Sequence, residues 1–106
     1  MKNNTVITEE LLIEAGFENI TKDWEVEYYA ENLDIPHYKC YRKWTNSVDD
    51  KNKCVKLDIS NGLTNNDSLW HLHIDNNVCE SIGTADIDKI WQFNMLMEVF
   101  GSNFRL

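Results

Sequence analysis

The sequence predicts an α+β domain: a mostly antiparallel sheet of about five strands, with a long C-terminal helix packed on one face and a short N-terminal helix beside it. Two patterns support this fold class. Residues 69–75 alternate between apolar and polar side chains, which is the period of a half-buried strand. Residues 85–100 repeat apolar side chains every three or four positions, as a helix lying on a sheet does. Strands followed by such a helix are typical of α+β proteins.

The length and composition predict one folded domain spanning residues 1–106. A hydrophobic content of 42%, with one Pro and four Gly, supplies a core and argues against disorder. The 18 acidic and 10 basic side chains give a formal net charge of -8. A field of that sign repels phosphate backbones and anionic membranes, so we expect no nucleic acid and no membrane as partners. The same field suits a basic protein partner.

The N-terminal residues and the cysteines predict a reduced, cytoplasmic protein. No apolar segment follows the single Lys of the first five residues, so they do not read as a signal peptide, and no apolar run reaches the roughly 20 residues that span a bilayer. Cys40, Cys54 and Cys79 are odd in number and form no C-x-x-C pair, which favours structural thiols. Phosphate-binding and dinucleotide-binding glycine motifs are missing from the sequence, so we expect no cofactor.

The first helix is predicted from its two ends. Thr8 is a suitable N-cap, and Glu9 and Glu10 place negative charge at the positive end of the helix dipole. Gly16 can adopt the left-handed conformation that ends a helix.

Five segments have the composition or alternation of strands. Their alternation places Trp24, Tyr28 and Trp70 in the core, and Tyr29 and Tyr41 on an opposite, aromatic-rich sheet face. Such a face could bind a peptide, or consist of ordinary cross-strand pairs. The segments are residues 24–29, 38–44, 54–59, 69–75 and 78–82.

The hairpin that joins the last two of these segments has two possible registers. A two-residue loop pairs Ile74 with Cys79, whereas a three-residue loop pairs Ile74 with Val78 and Trp70 with Ile82. We prefer the second because it keeps apolar residues together.

The C-terminal helix is predicted to begin after Thr84 as N-cap and to end at Gly101. One arc of this helix carries the residues expected to pack on the sheet: Ile90, Phe93, Leu96, Met97 and Phe100. Trp91 extends that arc on one side, and Met95 and Val99 lie beyond it on the expected solvent face. Either the N-terminal helix covers them, or they form an interface with a protein partner, such as a second subunit in a homo-oligomer.

His71, His73 and Asp75 form the sharpest chemical pattern. Spacing of two in a strand places all three on one face, and two imidazoles there can chelate a metal ion. Glu80, across the hairpin, is the candidate third ligand, and His37 is a further imidazole. The alternative is a solvated polar face, which has the same alternation.

The arrangement of the chain resembles small uncharacterised α+β proteins of gut anaerobic bacteria and their phages. The resemblance is carried by Leu11-Leu12 with Ala15-Gly16-Phe17, by Ile82-Gly83-Thr84 before Ile90, and by Leu96 before Phe100-Gly101. It implies no activity and no functional residues.

Three functions are consistent with these patterns. We expect a non-enzymatic interaction or accessory module that self-associates through the apolar excess of the C-terminal helix. The alternatives are a small metal-dependent enzyme using His71, His73 and Glu80, and an acidic inhibitor of phage type that mimics nucleic acid. The scatter of carboxylates from Glu9 to Glu98 disfavours the inhibitor, which calls for one acidic stripe.

Overall fold

The computed structural model describes residues 5–32, 38–50, 52–61, 69–76 and 81–106. Within them, five strands form one antiparallel sheet in the order β1-β2-β3-β4-β5, which confirms the α+β class and the antiparallel sheet. Along the chain the elements are α1 (Glu9–Glu14), β1 (Glu18–Asn19), α2 (Trp24–Asn32), β2 (Lys39–Asn46), β3 (Cys54–Asn61), β4 (Trp70–Asn76), β5 (Ser81–Ile87) and α3 (Ile90–Val99).

The core lies between one face of this sheet and the two helices α1 and α3. Leu57 pairs with Ile74 and Ile59 with Leu72 across β3 and β4, and all four side chains are buried. The other members of the buried cluster are Ile7, Leu12, Phe17, Tyr41, Val55, Trp70, Ile87, Ile90, Phe93 and Met97. Alternation predicts an inward face for residues 54–59 and another for residues 69–75, and the structure confirms both. The inward residues are Val55, Leu57 and Ile59 in the first segment and Trp70, Leu72 and Ile74 in the second.

Both ends of α1 have the predicted structure. The Thr8 side-chain oxygen accepts a hydrogen bond from the Leu11 N–H at 3.2 Å. Gly16 has a φ of +94°, and this left-handed turn directs Phe17 into the core, where its ring meets Phe93 edge-on.

The strand predicted at residues 24–29 is wrong, because these residues belong to the helix α2. Asp23 starts the helix: its side-chain oxygen accepts from the Glu25 N–H at 3.0 Å and its carbonyl from the Glu27 N–H at 2.9 Å. Trp24 and Tyr28 are one helical turn apart and 72% and 64% exposed, so neither lies in the core as predicted.

The face predicted for Tyr41 in β2 is wrong. Tyr41 is buried in the core, with its ring 6.0 Å from that of Trp70, whereas Trp44 is 54% exposed on the opposite face. The phenol is tolerated at the core margin because its hydroxyl donates to a Glu9 carboxylate oxygen at 3.1 Å. The predicted aromatic face that included Tyr41 is therefore wrong, and the Tyr29 side chain lies outside the described part of the chain.

The C-terminal helix is short, not long. Residues 81–87, with Gly83 and Thr84 among them, form the edge strand β5, which pairs Ile74 with Gly83 and Trp70 with Ile87. Neither predicted hairpin register is correct, and residues 77–80 lie outside the described part of the chain.

The helix α3 begins only at Ile90, and the side chain of Gln92 caps its N-terminus. The Gln92 side-chain oxygen accepts from the N–H groups of Asp88 at 2.8 Å and Lys89 at 2.9 Å. The predicted inward arc is retained, with Ile90, Phe93 and Met97 buried, and Gly101, at a φ of +75°, follows the helix as predicted.

Candidate functional site

The face of the sheet opposite the core is polar, and α2 lies above part of it. Together they enclose a cleft of about 380 Å³. Its lining comprises Glu25, Val26, Tyr38, Cys40, Asp58, Ser60, His71, His73 and Asp75. The prediction that His71, His73 and Asp75 share one face is thus correct, and the structure adds a helix that turns that face into a concave site.

Asp75 contacts two other side chains of this polar face, His73 and Lys56. One of its carboxylate oxygens lies 2.8 Å from His73 Nε2, and the other lies 2.9 Å from Lys56 Nζ. Burial acts to raise the pKa of the Asp75 carboxyl, but the hydrogen bond from Lys56 and the neighbouring His73 outweigh it, so the pKa is lowered. Asp75 is therefore held in its ionised form, and it orients the imidazole of His73.

A second ion pair lies on the adjacent strands. Arg42 binds Asp58 through two hydrogen bonds, of 2.7 Å from Nε and 3.0 Å from Nη2. The hydrogen bond to Asp58 raises the pKa of the Arg42 guanidinium. Lys56 Nζ is also 3.9 Å from Asp58, so Arg42 and Lys56 together offset the charges of Asp58 and Asp75.

His71 has a carboxylate partner of its own. Its Nδ1 lies 2.9 Å from Asp86, which stands directly across from it on β5. The two histidines therefore each engage a separate carboxylate. In the described ranges, no three His, Cys, Asp or Glu side chains are grouped so that they could hold a metal ion. The candidate third ligand Glu80, like His37, lies outside those ranges, so the metal site stays a prediction.

Cys40 is a poor candidate for a nucleophile in this cleft. Burial, with a further contribution from the charge of Asp58, raises the pKa of its thiol to about 11. Because the thiolate is the reactive form, a thiol with this pKa is almost entirely protonated at neutral pH.

The other candidate site is the outer face of α3. Trp91, Met95 and Val99 are 42%, 51% and 68% exposed. They follow one another at intervals of four residues, which makes a continuous apolar ridge along the helix, and no described segment of the chain covers it. We call these three residues the α3 ridge. It coincides with the interface residues predicted from the sequence.

The sequence prediction missed a third surface, which lies on α2. Trp24, Glu27, Tyr28 and Glu31 are all exposed. Asp23 before an acidic first turn was the available signal for a helix. The alternation of aromatic, β-branched and charged residues pointed to a strand instead.

None of the helices in the described residues is long and apolar enough to span a bilayer. No protein-family model matches the chain, and no match was found among curated proteins or among solved structures. The resemblance to small proteins of gut anaerobes and their phages therefore stays a prediction.

Proposed function

We propose that this chain is a non-enzymatic interaction module that self-associates through the α3 ridge. The observation that carries the proposal is the exposure of Trp91, Met95 and Val99 on a helix that buries Ile90, Phe93 and Met97 on its opposite side. Large apolar side chains aligned on a surface commonly mark a contact with another protein chain. From the sequence, we place this accessory module in the cytoplasm of a bacterium or among the proteins of its phages.

The shape of the ridge suits a second copy of itself. Side chains four residues apart form the ridges that interlock when two helices cross at about -50°. In a twofold pair of antiparallel α3 helices centred on Met95, the large Trp91 of one copy lies against the small Val99 of the other. The helix dipoles then oppose each other, which favours the pair further. Such an interface is self-complementary, as twofold symmetry requires.

Sedimentation of the full chain tests this proposal. A ridge of three residues forms a small interface, so we expect a weak dimer whose fraction rises between about 10 μM and about 1 mM. Met95→Glu places two like charges next to the twofold axis and should leave a folded monomer over the whole range. The matched control is Ile13→Glu, because Ile13 is an apolar residue of a different helix, α1, and is 58% exposed. A wild-type chain that stays monomeric at about 1 mM would refute the proposal, as would a Met95→Glu variant that still dimerises.

A further inference from the structure

We propose that the outer face of α2, formed by Trp24, Glu27, Tyr28 and Glu31, is a docking surface for a basic protein segment rich in Arg or Lys. This surface has a different chemistry from the α3 ridge, and the proposal does not depend on self-association.

These four residues form one continuous strip. At 100° per residue, Glu27, Glu31, Trp24 and Tyr28 follow one another within an arc of about 100°. The other side of the helix faces the protein: Val26 lines the cleft over the sheet, and Val26 and Ala30 are half-buried. The strip is therefore directed away from the part of the chain that the structure describes.

The exposed aromatic rings are the strongest feature of the strip. Trp24 is 72% exposed and Tyr28 is 64% exposed, although residues of these types bury large apolar areas when a protein offers them a core. An exposed indole face attracts a cation by its quadrupole, and Arg guanidinium groups stack on it in preference to other side chains.

The charge of the helix selects the same kind of partner. Its sequence, WEVEYYAEN, contains three Glu and no Lys or Arg, and Asp23 precedes it directly. Glu27 has a neighbouring cation in Lys22, but the two charged atoms are 4.0 Å apart and the Lys22 side chain is 93% exposed. An ion pair of this kind contributes little, so a binding partner can displace it.

The net charge of -8 argues against the other occupants of the strip. A second copy of the chain would bring the same acidic residues against it, and a nucleic acid would bring phosphates. A cationic segment is attracted by the whole field, and its guanidinium or ammonium groups can bind a carboxylate and an aromatic ring at once.

Titration of the full chain with synthetic peptides tests this inference. We would use hexa-arginine, hexalysine and hexaglutamate at about 50 mM and about 500 mM salt, following binding by calorimetry and by backbone amide chemical shifts. We expect hexa-arginine to bind more tightly than hexalysine, hexaglutamate not to bind, and the largest shifts to fall in α2.

Matched variants separate a specific surface from general charge attraction. Trp24→Ala should weaken hexa-arginine binding about fivefold or more, whereas Trp44→Ala, which removes another exposed indole, should change it less than about twofold. Glu27→Gln with Glu31→Gln should weaken binding much more than Glu14→Gln with Glu98→Gln, which makes the same change in net charge elsewhere. Tyr28→Ala serves as a second aromatic test, and circular dichroism checks that every variant folds.

The inference would be overturned if the wild-type chain did not bind hexa-arginine. It would also be overturned if the α2 variants and their controls lost the same amount of affinity for hexa-arginine, or if the amide shifts were spread evenly over the acidic surface. Met95→Glu should bind hexa-arginine like the wild type, so failure of the α3 dimer and failure of the α2 surface are distinguishable.

Discussion

The ring of Phe100 lies directly against Gly83, in the space that a side chain at that position would occupy. Gly83 is on the core face of β5, and Phe100 is the residue that follows α3. The contact therefore joins the edge strand to the end of the helix that packs on the sheet. It also explains a glycine in the middle of a strand, where this residue normally weakens the structure.

A Cβ at residue 83 should destabilise the fold. Gly83→Ala forces the Phe100 ring or the β5 backbone to move, and we expect a loss of about 1–3 kcal/mol in the free energy of unfolding. Urea denaturation measures it. Thr84→Ala, at the next and exposed position, should change stability by less than about 0.5 kcal/mol. When Gly83→Ala is combined with Phe100→Leu, the smaller side chain at residue 100 should recover part of the lost stability. If the destabilisations of the two single variants simply add, the steric explanation is contradicted.

The cap of α1 should contribute measurably to stability. Thr8→Ala leaves the Leu11 N–H without its side-chain acceptor and should cost about 1 kcal/mol. Thr8→Ser keeps the hydroxyl and is the control, expected to lie close to wild type. Thermal unfolding of Thr8→Ala and Thr8→Ser tests this prediction. Equal melting temperatures for the two variants would show that the hydroxyl does not cap the helix.

Asp75 should make the protein less stable in acid. Its pKa is lowered in the folded chain, so the unfolded chain binds more protons between that value and the ordinary carboxyl pKa of about 3.9. This contribution to stability is complete above the ordinary pKa and is lost as the pH falls through the folded value.

Unfolding free energies measured from neutral pH into acid should therefore fall less steeply in Asp75→Asn than in Asp49→Asn, which makes the same charge change in an exposed loop. In Asp75→Asn the unfolding free energy should still fall to some extent with pH, because a hydrogen bond from Lys39 lowers the pKa of Glu9 as well. Identical slopes in the two variants would contradict the role given to Asp75.

Cys40 should react slowly with alkylating reagents. Its side chain is buried and its pKa is raised to about 11, whereas Cys54 is only partly buried. With iodoacetamide near pH 8, we expect mass spectrometry to find Cys54 labelled well before Cys40 in the folded chain. The two rates should converge in urea, and equal rates without denaturant would contradict the placement of Cys40.

The parts of the fold that could be predicted were those in which local pattern and tertiary packing agree. In β3 and β4, apolar and polar residues alternate because one face meets the core, and both strands were identified with their correct faces. The cap at Thr8 and the turn at Gly16 were likewise readable, since both depend on interactions within a few residues.

The errors arose where the deciding interaction was distant in sequence or weaker than a competing pattern. Trp24, Val26 and Tyr28 have high strand propensity, which concealed the cap at Asp23. Thr84 was predicted as a helix cap, and the preceding Gly83 gave no sign of a strand, because the ring that covers Gly83 comes from Phe100, far along the chain. That error also hid the partner of His71, since Asp86 was assigned to a helix.

Trp70 is buried whereas the other three tryptophans are exposed, so its fluorescence can be used to follow the structure of the chain. Its indole N–H donates to the Ile7 carbonyl at 3.1 Å and its ring is 5% exposed, whereas the indoles at positions 24, 44 and 91 face solvent. Acrylamide should therefore quench most of the intrinsic emission and spare a blue-shifted component. In a chain with Phe at those three positions, the emission of Trp70 alone would show whether the segment around Ile7 stays in contact with the sheet.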